Sequence, residues 1–388
     1  MDSPWFGNTL RIAAIYACRM LGLFMLIPVF TLYANHLRGA TPFLVGIALG
    51  AYGLTQGLLQ IPFGILSDRH GRKPLILLGL ILFAIGSLVG AYADSITGMI
   101  LARILQGAGA IGSVLMAFLA DLTAEQHRTK AMAVIGSIIG VSFSLAFVLS
   151  PFITAVSGLA GIFYLTTGLA VLGMLMLYRI PTPNHVGNDT INKQQLKQVF
   201  RNPDLLRLDA GIFFQHLILI STFYALPLML QTQIHHGGLS QTWQFYVPLL
   251  LLSFLCMVPI MILAEKRQKT KLLFIVAIAS MFGTQMGLAL WPQASITLLW
   301  GLMFVYFVGF NLLEANLPSL ISKQVNPKAK GCAMGVYSSS QFLGIFVGGT
   351  LAGIVYQHAG AQGIFIFNAS IALAWLFTTL RLNVSARF

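Results

Sequence analysis

Long runs of apolar residues, separated by short polar turns, make up most of the 388-residue chain. A helix needs about 20 predominantly apolar residues to cross a bilayer. The apolar runs have this length and do not alternate with polar positions, which favours membrane-spanning helices and excludes a transmembrane β-barrel. We therefore predict an all-α membrane protein. Its twelve predicted transmembrane helices, numbered here as spans 1 to 12, cover about 11–36, 42–66, 74–93, 96–119, 130–156, 160–179, 207–232, 243–263, 271–291, 295–321, 331–356 and 361–381.

The composition agrees with this pattern, since 57% of the residues are hydrophobic and only 9% are charged. Soluble domains average about 25% charged residues, so this chain has too little polar surface to cover a soluble globule. The net charge of +13 raises nucleic-acid binding as an alternative. However, every Lys and Arg except Arg19, Arg38 and Arg103 falls in the N-terminal segment, an even-numbered loop or the C-terminal tail. This positive-inside bias predicts a multi-pass protein of the bacterial inner membrane, with both termini cytoplasmic and no nucleic-acid partner.

An internal repeat at an offset near 200 residues divides the chain into two halves. The predicted organisation is an N-terminal six-helix bundle at 1–180, a cytoplasmic linker at 181–203 and a C-terminal six-helix bundle at 204–388. Proteins built from two such pseudo-repeat bundles bind their substrate near the bilayer midplane and expose the site alternately to either side. The matched positions are Pro28 with Pro227, and Arg128-Thr129-Lys130 with Lys328-Ala329-Lys330.

The loop between spans 2 and 3 concentrates charge and turn-forming residues at 64–74. Gly64 has no side chain and would permit the close approach of another helix. Asp68 could accept hydrogen bonds from the free N–H groups of a helix N-terminus. Gly71 permits a positive φ in the turn, and Pro74 suits the first position of the following helix. These features predict a tight turn at the membrane surface.

Arg72 in the same loop is a bidentate donor that could hold a carboxylate from a neighbouring helix end, and Asp121 is the obvious candidate. Such charge pairs could hold one conformation closed. We therefore predict a conformational latch rather than a substrate site. Its residues are Gly64, Asp68, Arg69, Gly71, Arg72 and Asp121.

Three charged residues, Arg19, Arg103 and Glu314, lie deep within predicted spans, and Glu314 is the only acidic one placed there. An isolated ionised carboxylate in hydrocarbon is prohibitive, so Glu314 must be protonated, paired or facing a wet cavity. Intramembrane charges are functional candidates by default. These three residues are therefore candidates for a functional role, together with Gln106 and with Asn311, which shares a helical face with Glu314. The alternatives are that Arg103 hydrogen-bonds a neighbouring backbone and only fixes packing, and that Glu314 is a structural ion pair within the second half.

Two motifs resemble the major facilitator superfamily. Residues 64–74 match its signature loop, G-x-L-x-D-R-x-G-R-K-P, and Arg103 to Gly107 match its R-x-x-Q-G motif. Span 5 is similar to the glycine-spaced motif of drug exporters, with Gly136 and Gly140, although Ser150 replaces the usual glycine before Pro151. The resemblance implies the major facilitator fold and the drug:proton antiporter branch.

The resemblance further implies that spans 1, 4, 7 and 10 line a central cavity and that Arg103 takes part in proton coupling. We accordingly predict that Arg19, Gln106, Asn311 and Glu314 also take part in proton coupling or line this cavity. The resemblance also motivates an interaction between Arg19 and Glu314 across the two halves. The candidate substrate-cavity residues are Gln56, Gln60, His216, Tyr337 and Gln341, with Gln106 in span 4 and Gln215 beside His216 as further polar positions. A lone histidine such as His216 is also commonly a packing residue.

From these features we expect a proton-coupled secondary transporter that exports amphipathic small molecules or drugs. It would be a monomer driven by the proton gradient, with no cofactor and no metal. Alternatives on the same fold are a dedicated metabolite or siderophore exporter and a nutrient importer. A receptor or channel is disfavoured because the polar positions cluster at mid-span, and no catalytic motif indicates an enzyme. Members of the resembled branch with a soluble domain after span 12 exist, and none is expected here.

Overall fold

The computed structural model describes residues 4–182, 199–235, 239–325 and 330–382, and these residues form helices joined by short turns. The only β-type pairing among them is an isolated bridge between Arg38 and Ser95. The helices are α1 (Pro4–Phe24), α2 (Phe30–Ala34), α3 (Pro42–His70), α4 (Arg72–Ala91), α5 (Ile96–Ala108), α6 (Gly112–Leu122), α7 (Glu125–Tyr178), α8 (Pro203–His235), α9 (Trp243–Lys266), α10 (Thr270–Leu290), α11 (Ile296–Gln324) and α12 (Lys330–Leu380).

These helices account for the twelve predicted spans. By length and composition, nine helical segments of the described chain could cross a membrane, with α5 and α6 counted together. Two of the nine, α7 and α12, each contain two predicted spans. The remaining span is α1, which carries Arg11 and Arg19 in an otherwise apolar helix. The prediction of an all-α protein with twelve membrane-spanning helices is confirmed.

The chain divides into two compact units, Met1–Asn192 and Lys193–Phe388. Unit 1 contains α1 to α7, and unit 2 contains α8 to α12. The boundary falls in the predicted linker at 181–203, most of which lies outside the described residues. Each unit contains one very long helix interrupted by a glycine with positive φ. The break is at Gly158 in α7 (φ 62°, ψ −163°) and at Gly360 in α12 (φ 61°, ψ −162°).

Unit 1 is built around tight glycine contacts in the region of span 4. This span is not one helix: α5 ends at Ala108 and α6 begins at Gly112. A Cβ at Gly109 would collide with the Gly79 carbonyl of α4, and one at Gly107 would collide with the Tyr52 carbonyl of α3. The interruption therefore brings irregular backbone into the protein interior, where neighbouring groups can satisfy its carbonyls.

Unit 2 has its closest helix contact between α8 and the first half of α12. Cβ atoms at Gly344 and Gly348 would collide with the carbonyl oxygens of Phe213 and Leu217. The two contacts advance by four residues on both helices, so α8 and this part of α12 run parallel. Small residues at such spacing let helix backbones approach closely in a membrane.

Arg38, the one basic residue predicted in an odd-numbered loop, is neutralised locally. Its Nη2 atom lies 3.2 Å from Asp94 Oδ2. Its backbone also pairs with the next loop, because Arg38 N–H donates to the Asp94 carbonyl and Ile96 N–H donates to the Arg38 carbonyl. The pairing offsets the one charge that departs from the positive-inside pattern.

Candidate functional site

Three of the predicted latch residues meet at the turn between α3 and α4. Arg72 Nε donates to Asp121 Oδ2 at 2.9 Å, and Arg72 Nη1 donates to Ser67 Oγ at 2.6 Å and also to Asp68. The side chains of Arg72, Asp68 and Asp121 are 7%, 8% and 14% exposed. One guanidinium therefore joins the end of α3, the start of α4 and the end of α6. Charge-assisted hydrogen bonds of this kind are stronger and more directional than neutral ones.

The other loop residues partly depart from their expected roles. Gly71 has a φ of 91°, a conformation that requires glycine. Arg69 is exposed. The close approach expected at Gly64 is absent from unit 1, because a Cβ there would lie in ordinary contact with Ser113 Oγ at 3.6 Å. Pro74 is the third residue of α4 rather than the first, still within the turn whose N–H groups have no helical partner.

Arg19 lies in the interior of unit 1 and is 1% exposed. Its Nη2 donates to the Gly109 carbonyl at 2.7 Å and to Gln56 Oε1. That carbonyl is available because the helix is interrupted after Ala108. The described contacts of Arg19 thus belong to unit 1, and the interaction with Glu314 stays a prediction. Gln56 in turn donates to Gln60 Oε1 at 2.9 Å, and both amides are buried at 0% and 3% exposure.

Arg103 and Gln106 form one polar chain across α5 and α4. Arg103 Nη1 donates to Gln106 Oε1 at 2.7 Å, and Gln106 Nε2 donates to Ser87 Oγ at 2.9 Å. Arg103 is 3% exposed, and its guanidinium lies 5.1 Å from the centre of the Tyr52 ring. Within the described part of unit 1, neither Arg103 nor Arg19 has a carboxylate within salt-bridge distance. The cations are instead held by amides, a carbonyl and aromatic faces.

Glu314 lies at the centre of a polar network in unit 2 that joins α8, α11 and α12. Gln215 Nε2 donates to Glu314 Oε2 at 3.0 Å and to the Phe310 carbonyl at 3.2 Å. Gln341 Nε2 lies 3.4 Å from Glu314 Oε1 and 2.8 Å from His216 Nε2. His216 Nε2 is 3.9 Å from Glu314 Oε2. The carboxyl group is therefore held by neutral amides and one imidazole, with no Lys or Arg in contact among the described residues.

Two other predicted residues of unit 2 lie outside this network. Asn311 Nδ2 donates to Ser253 Oγ on α9 at 3.2 Å, whereas Glu314 contacts α8 and α12. The shared helical face does not give the two side chains a shared site, because three residues of helix rotate a side chain by about 60°. Tyr337 is 4% exposed, and its hydroxyl has no hydrogen-bond partner among the described residues.

Glu314 was the only acidic residue expected deep within a span, but a second acidic side chain, that of Asp209, is buried nearer the start of α8 and is 5% exposed. The predicted span began at 207, which placed Asp209 at the membrane edge, whereas α8 begins at Pro203. A proline followed by an aspartate is a typical helix start, and Pro203-Asp204 provides that signal.

The exporter-like motif of span 5 has an unexpected contact. Ser150, the residue that departs from the family pattern, donates from Oγ to the Met25 carbonyl at 2.6 Å. Met25 lies in the turn between α1 and α2, where carbonyls lack regular helical partners. No described residue of unit 1 lies within 4 Å of a Cβ built at Gly136 or Gly140, so these glycines make no close helix contact with that part of the unit.

Comparison with known proteins agrees with the motifs. A profile of the Major Facilitator Superfamily matches residues 12–349. The inner membrane transport protein YajR of Escherichia coli K12 is 44% identical over 377 residues, covering 95% of this chain and 81% of YajR. The multidrug resistance protein MdtH of Aeromonas salmonicida is 25% identical, over 89% of this chain and 86% of MdtH.

Solved structures show the same fold. The inward-open xylose transporter XylE of E. coli superposes with a TM-score of 0.75 at 17% identity, covering 96% of this chain and 95% of XylE. The human organic anion transporter MFSD10 gives a TM-score of 0.70 at 20% identity, covering 97% of this chain and all of MFSD10. With its membrane-spanning helices and its similarity to YajR, the chain is a multi-pass inner-membrane protein. It belongs to the major facilitator superfamily and is a transporter of the secondary type.

Proposed function

We propose that the protein is a proton-coupled exporter of amphipathic small molecules, and that Glu314 carries the coupled proton. The observation that supports this most directly is the composition of the Glu314 network. A carboxyl held by Gln215, Gln341 and His216 can be protonated or ionised without leaving a buried cation unpaired. A salt-bridged carboxylate lacks that freedom, because removing its charge strands the partner.

The side chain of Glu314 is 38% exposed, although it lies ten residues from the end of α11. This partial exposure supports access of a proton to the carboxyl group. His216 adds an imidazole to the network, with its Nε2 atom 3.9 Å from Glu314 Oε2. In the proposed cycle, protonation of Glu314 weakens its hydrogen bonds to the Gln215 and Gln341 amides. Because these bonds connect α8, α11 and α12, the protonation state of Glu314 changes how the three helices are held together.

The choice of exporter rests on similarity. MdtH carries the name of a multidrug resistance protein, and span 5 has the spaced glycines and proline of drug exporters. The latch at Arg72 supports alternating access, since its charge pairs lie at one end of unit 1 and can be made or broken as a group. The protein would act as a monomer, with the proton gradient in place of a cofactor.

The test is transport by purified protein in proteoliposomes that contain a trapped pH-sensitive dye. Ethidium, a neutral lipophilic dye and an amphipathic anion would be supplied in turn, with and without an imposed pH gradient. We expect at least one compound to move against its gradient only when the pH gradient is present. Glu314→Gln should abolish the response to pH, while Glu265→Gln, at the exposed end of α9, should behave as the wild type.

Unchanged proton-driven transport by Glu314→Gln would refute the role of Glu314. Movement that is insensitive to the pH gradient in the wild type would refute proton coupling itself. Binding can be checked separately, because a carried compound should raise the melting temperature of both the wild type and Glu314→Gln.

A further inference from the structure

Asp209 is a buried carboxyl group that the Glu314 network does not include. It lies in the second turn of α8, six residues after the helix begins, and is 5% exposed. Neither Oδ1 nor Oδ2 has a hydrogen-bond partner among the described residues. Buried polar atoms without hydrogen-bond partners are rare in native structures. A carboxyl group with both oxygen atoms in this state therefore needs a physical explanation.

The charged groups around Asp209 do not supply a counterion. On α8 itself, Arg207 is bonded to Asp204, with Arg207 Nη1 2.7 Å from Asp204 Oδ1. The helices packed against α8 are α11 and α12. The buried or half-buried titratable groups described on these helices include Glu314 and Tyr337, neither of which is a cation, and Lys330 at the start of α12 is exposed. Among the described residues, no cation lies within salt-bridge distance of Asp209.

An ionised carboxylate without a donor or a cation is very costly in a low-dielectric interior. A protonated carboxyl costs much less, because it is neutral and loses only ordinary polar hydration. Asp209 is also unlike Asp68, Asp94, Asp121 and Asp204, each of which has an arginine within hydrogen-bond distance. The geometry around Asp209 thus suits a bound proton.

Asp209 is also placed in line with the Glu314 network. Asp209 and His216 are seven residues apart and share one face of α8, at a separation of about 10 Å along the axis. Tyr337 is seven residues into α12, which runs parallel to α8, so Asp209 and Tyr337 lie at a similar depth. Gln215, His216 and Glu314 lie deeper in the same unit.

We propose that Asp209 is a second proton-binding carboxyl of unit 2, placed between the helix ends at Pro203 and Lys330 and the Glu314 network. A proton that arrives from that end would bind Asp209 first and then pass inward to Glu314. A proton on either carboxyl removes a negative charge from the same unit, so each carboxyl changes the pH range over which the other binds its proton. This route rests on the proton coupling proposed above, whereas protonation of Asp209 does not.

Infrared spectroscopy tests the proposal directly, because a protonated carboxyl has a carbonyl stretching band that a carboxylate lacks. Spectra of the purified full-length protein would be recorded across a pH series for the wild type, Asp209→Asn and Glu314→Gln. We expect Asp209→Asn to remove one protonated-carboxyl component and to shift the titration of the component removed by Glu314→Gln. Asp204→Asn is the matched control on the same helix: it removes a carboxylate paired with Arg207 and should leave both of these protonated-carboxyl components unchanged.

A second measurement needs no substitution. Wild-type protein labelled with 13C at the aspartate carboxyl groups should show an isotope shift of a protonated-carboxyl band. Absence of a shifted band at every pH at which the protein stays folded would overturn the proposal, as would identical spectra for Asp209→Asn and the wild type. Both readouts work without substrate or gradient, so failure of proton-driven transport and failure of the Asp209 assignment are distinguishable.

Discussion

Gln268 in unit 2 occupies the position that Gly71 has in unit 1: each has a positive φ in the turn between the second and third spans of its unit. The angles are 52° for Gln268 and 91° for Gly71, and Gln268 is the only non-glycine residue with positive φ in the described chain. The second turn therefore keeps the backbone reversal of the first but lacks its glycine.

The first prediction concerns this pair. A non-glycine residue in the left-handed region costs about 1 kcal/mol, so Gln268→Gly should raise the apparent free energy of unfolding by up to that amount. Gly71→Ala should lower it by about 1–3 kcal/mol, because the Gly71 conformation is essentially restricted to glycine. Thermal unfolding in detergent measures both. If neither substitution changes the free energy of unfolding, a backbone restricted to positive φ at Gly71 and Gln268 would be contradicted.

The second prediction concerns the breaks in α7 and α12. Gly158→Ala and Gly360→Ala should each destabilise the protein by about 1–2 kcal/mol, since a side chain is strained at positive φ even where space is open. Gly168→Ala is the control, because Gly168 is helical and a Cβ there meets nothing within 4 Å. It should be neutral or stabilising by up to about 1 kcal/mol. Melting temperatures of the three variants would show the difference.

The third prediction concerns Arg72. Arg72→Ala leaves Asp68 and Asp121 without their shared cation, and breaking a buried charge pair costs about 3–5 kcal/mol. We expect a large fall in melting temperature. Arg69→Ala, three residues earlier and exposed, should change the unfolding free energy by less than about 0.5 kcal/mol. Similar losses for the two variants would show that the Arg72 contacts add nothing to stability.

The fourth prediction separates a latch from a purely structural cluster. Asp68→Asn removes one of the two carboxylates on Arg72 and should favour opening of this end of the protein. Thr123, two residues after Asp121 and 4% exposed, provides a reporter as Thr123→Cys in a background without Cys18, Cys256 and Cys332. A water-soluble thiol reagent should label it faster in the Asp68→Asn variant. Identical labelling rates would exclude a gating role for Asp68.

The sequence was sufficient where a residue's role depends on its immediate neighbours. The turn at Gly71 could be inferred because a short motif holds the geometry. Asp121, outside this motif, could be inferred as a partner of Arg72 because it is a carboxylate at the end of a predicted span. The spans could be inferred because the requirement for about 20 apolar residues is strict. Glu314 was identifiable because a carboxylate in an apolar run is conspicuous.

Other features depend on contacts between distant helices. Asn311 faces Ser253 rather than the Glu314 network, and helical periodicity could not reveal which neighbour each side chain meets. The interruption after Ala108 places the Gly109 carbonyl at Arg19, and Gly109 packs closely against Gly79 on another helix, a contact that the sequence does not reveal. The burial of Asp209 was not predicted, because the predicted span began at residue 207 and placed Asp209 near the membrane edge. The helix α8 begins four residues earlier, at Pro203.

The breaks at Gly158 and Gly360 have a practical consequence for labelling and engineering. Each break is a single residue within a continuous helix. The connection between the two spans of α7, or of α12, therefore has no loop into which an epitope tag, a fluorescent protein or a protease site could be inserted. Such a probe would separate two consecutive spans that the chain joins almost directly. Reporters of topology belong instead at the turns after Ala91 and Leu290, where several residues separate the helices.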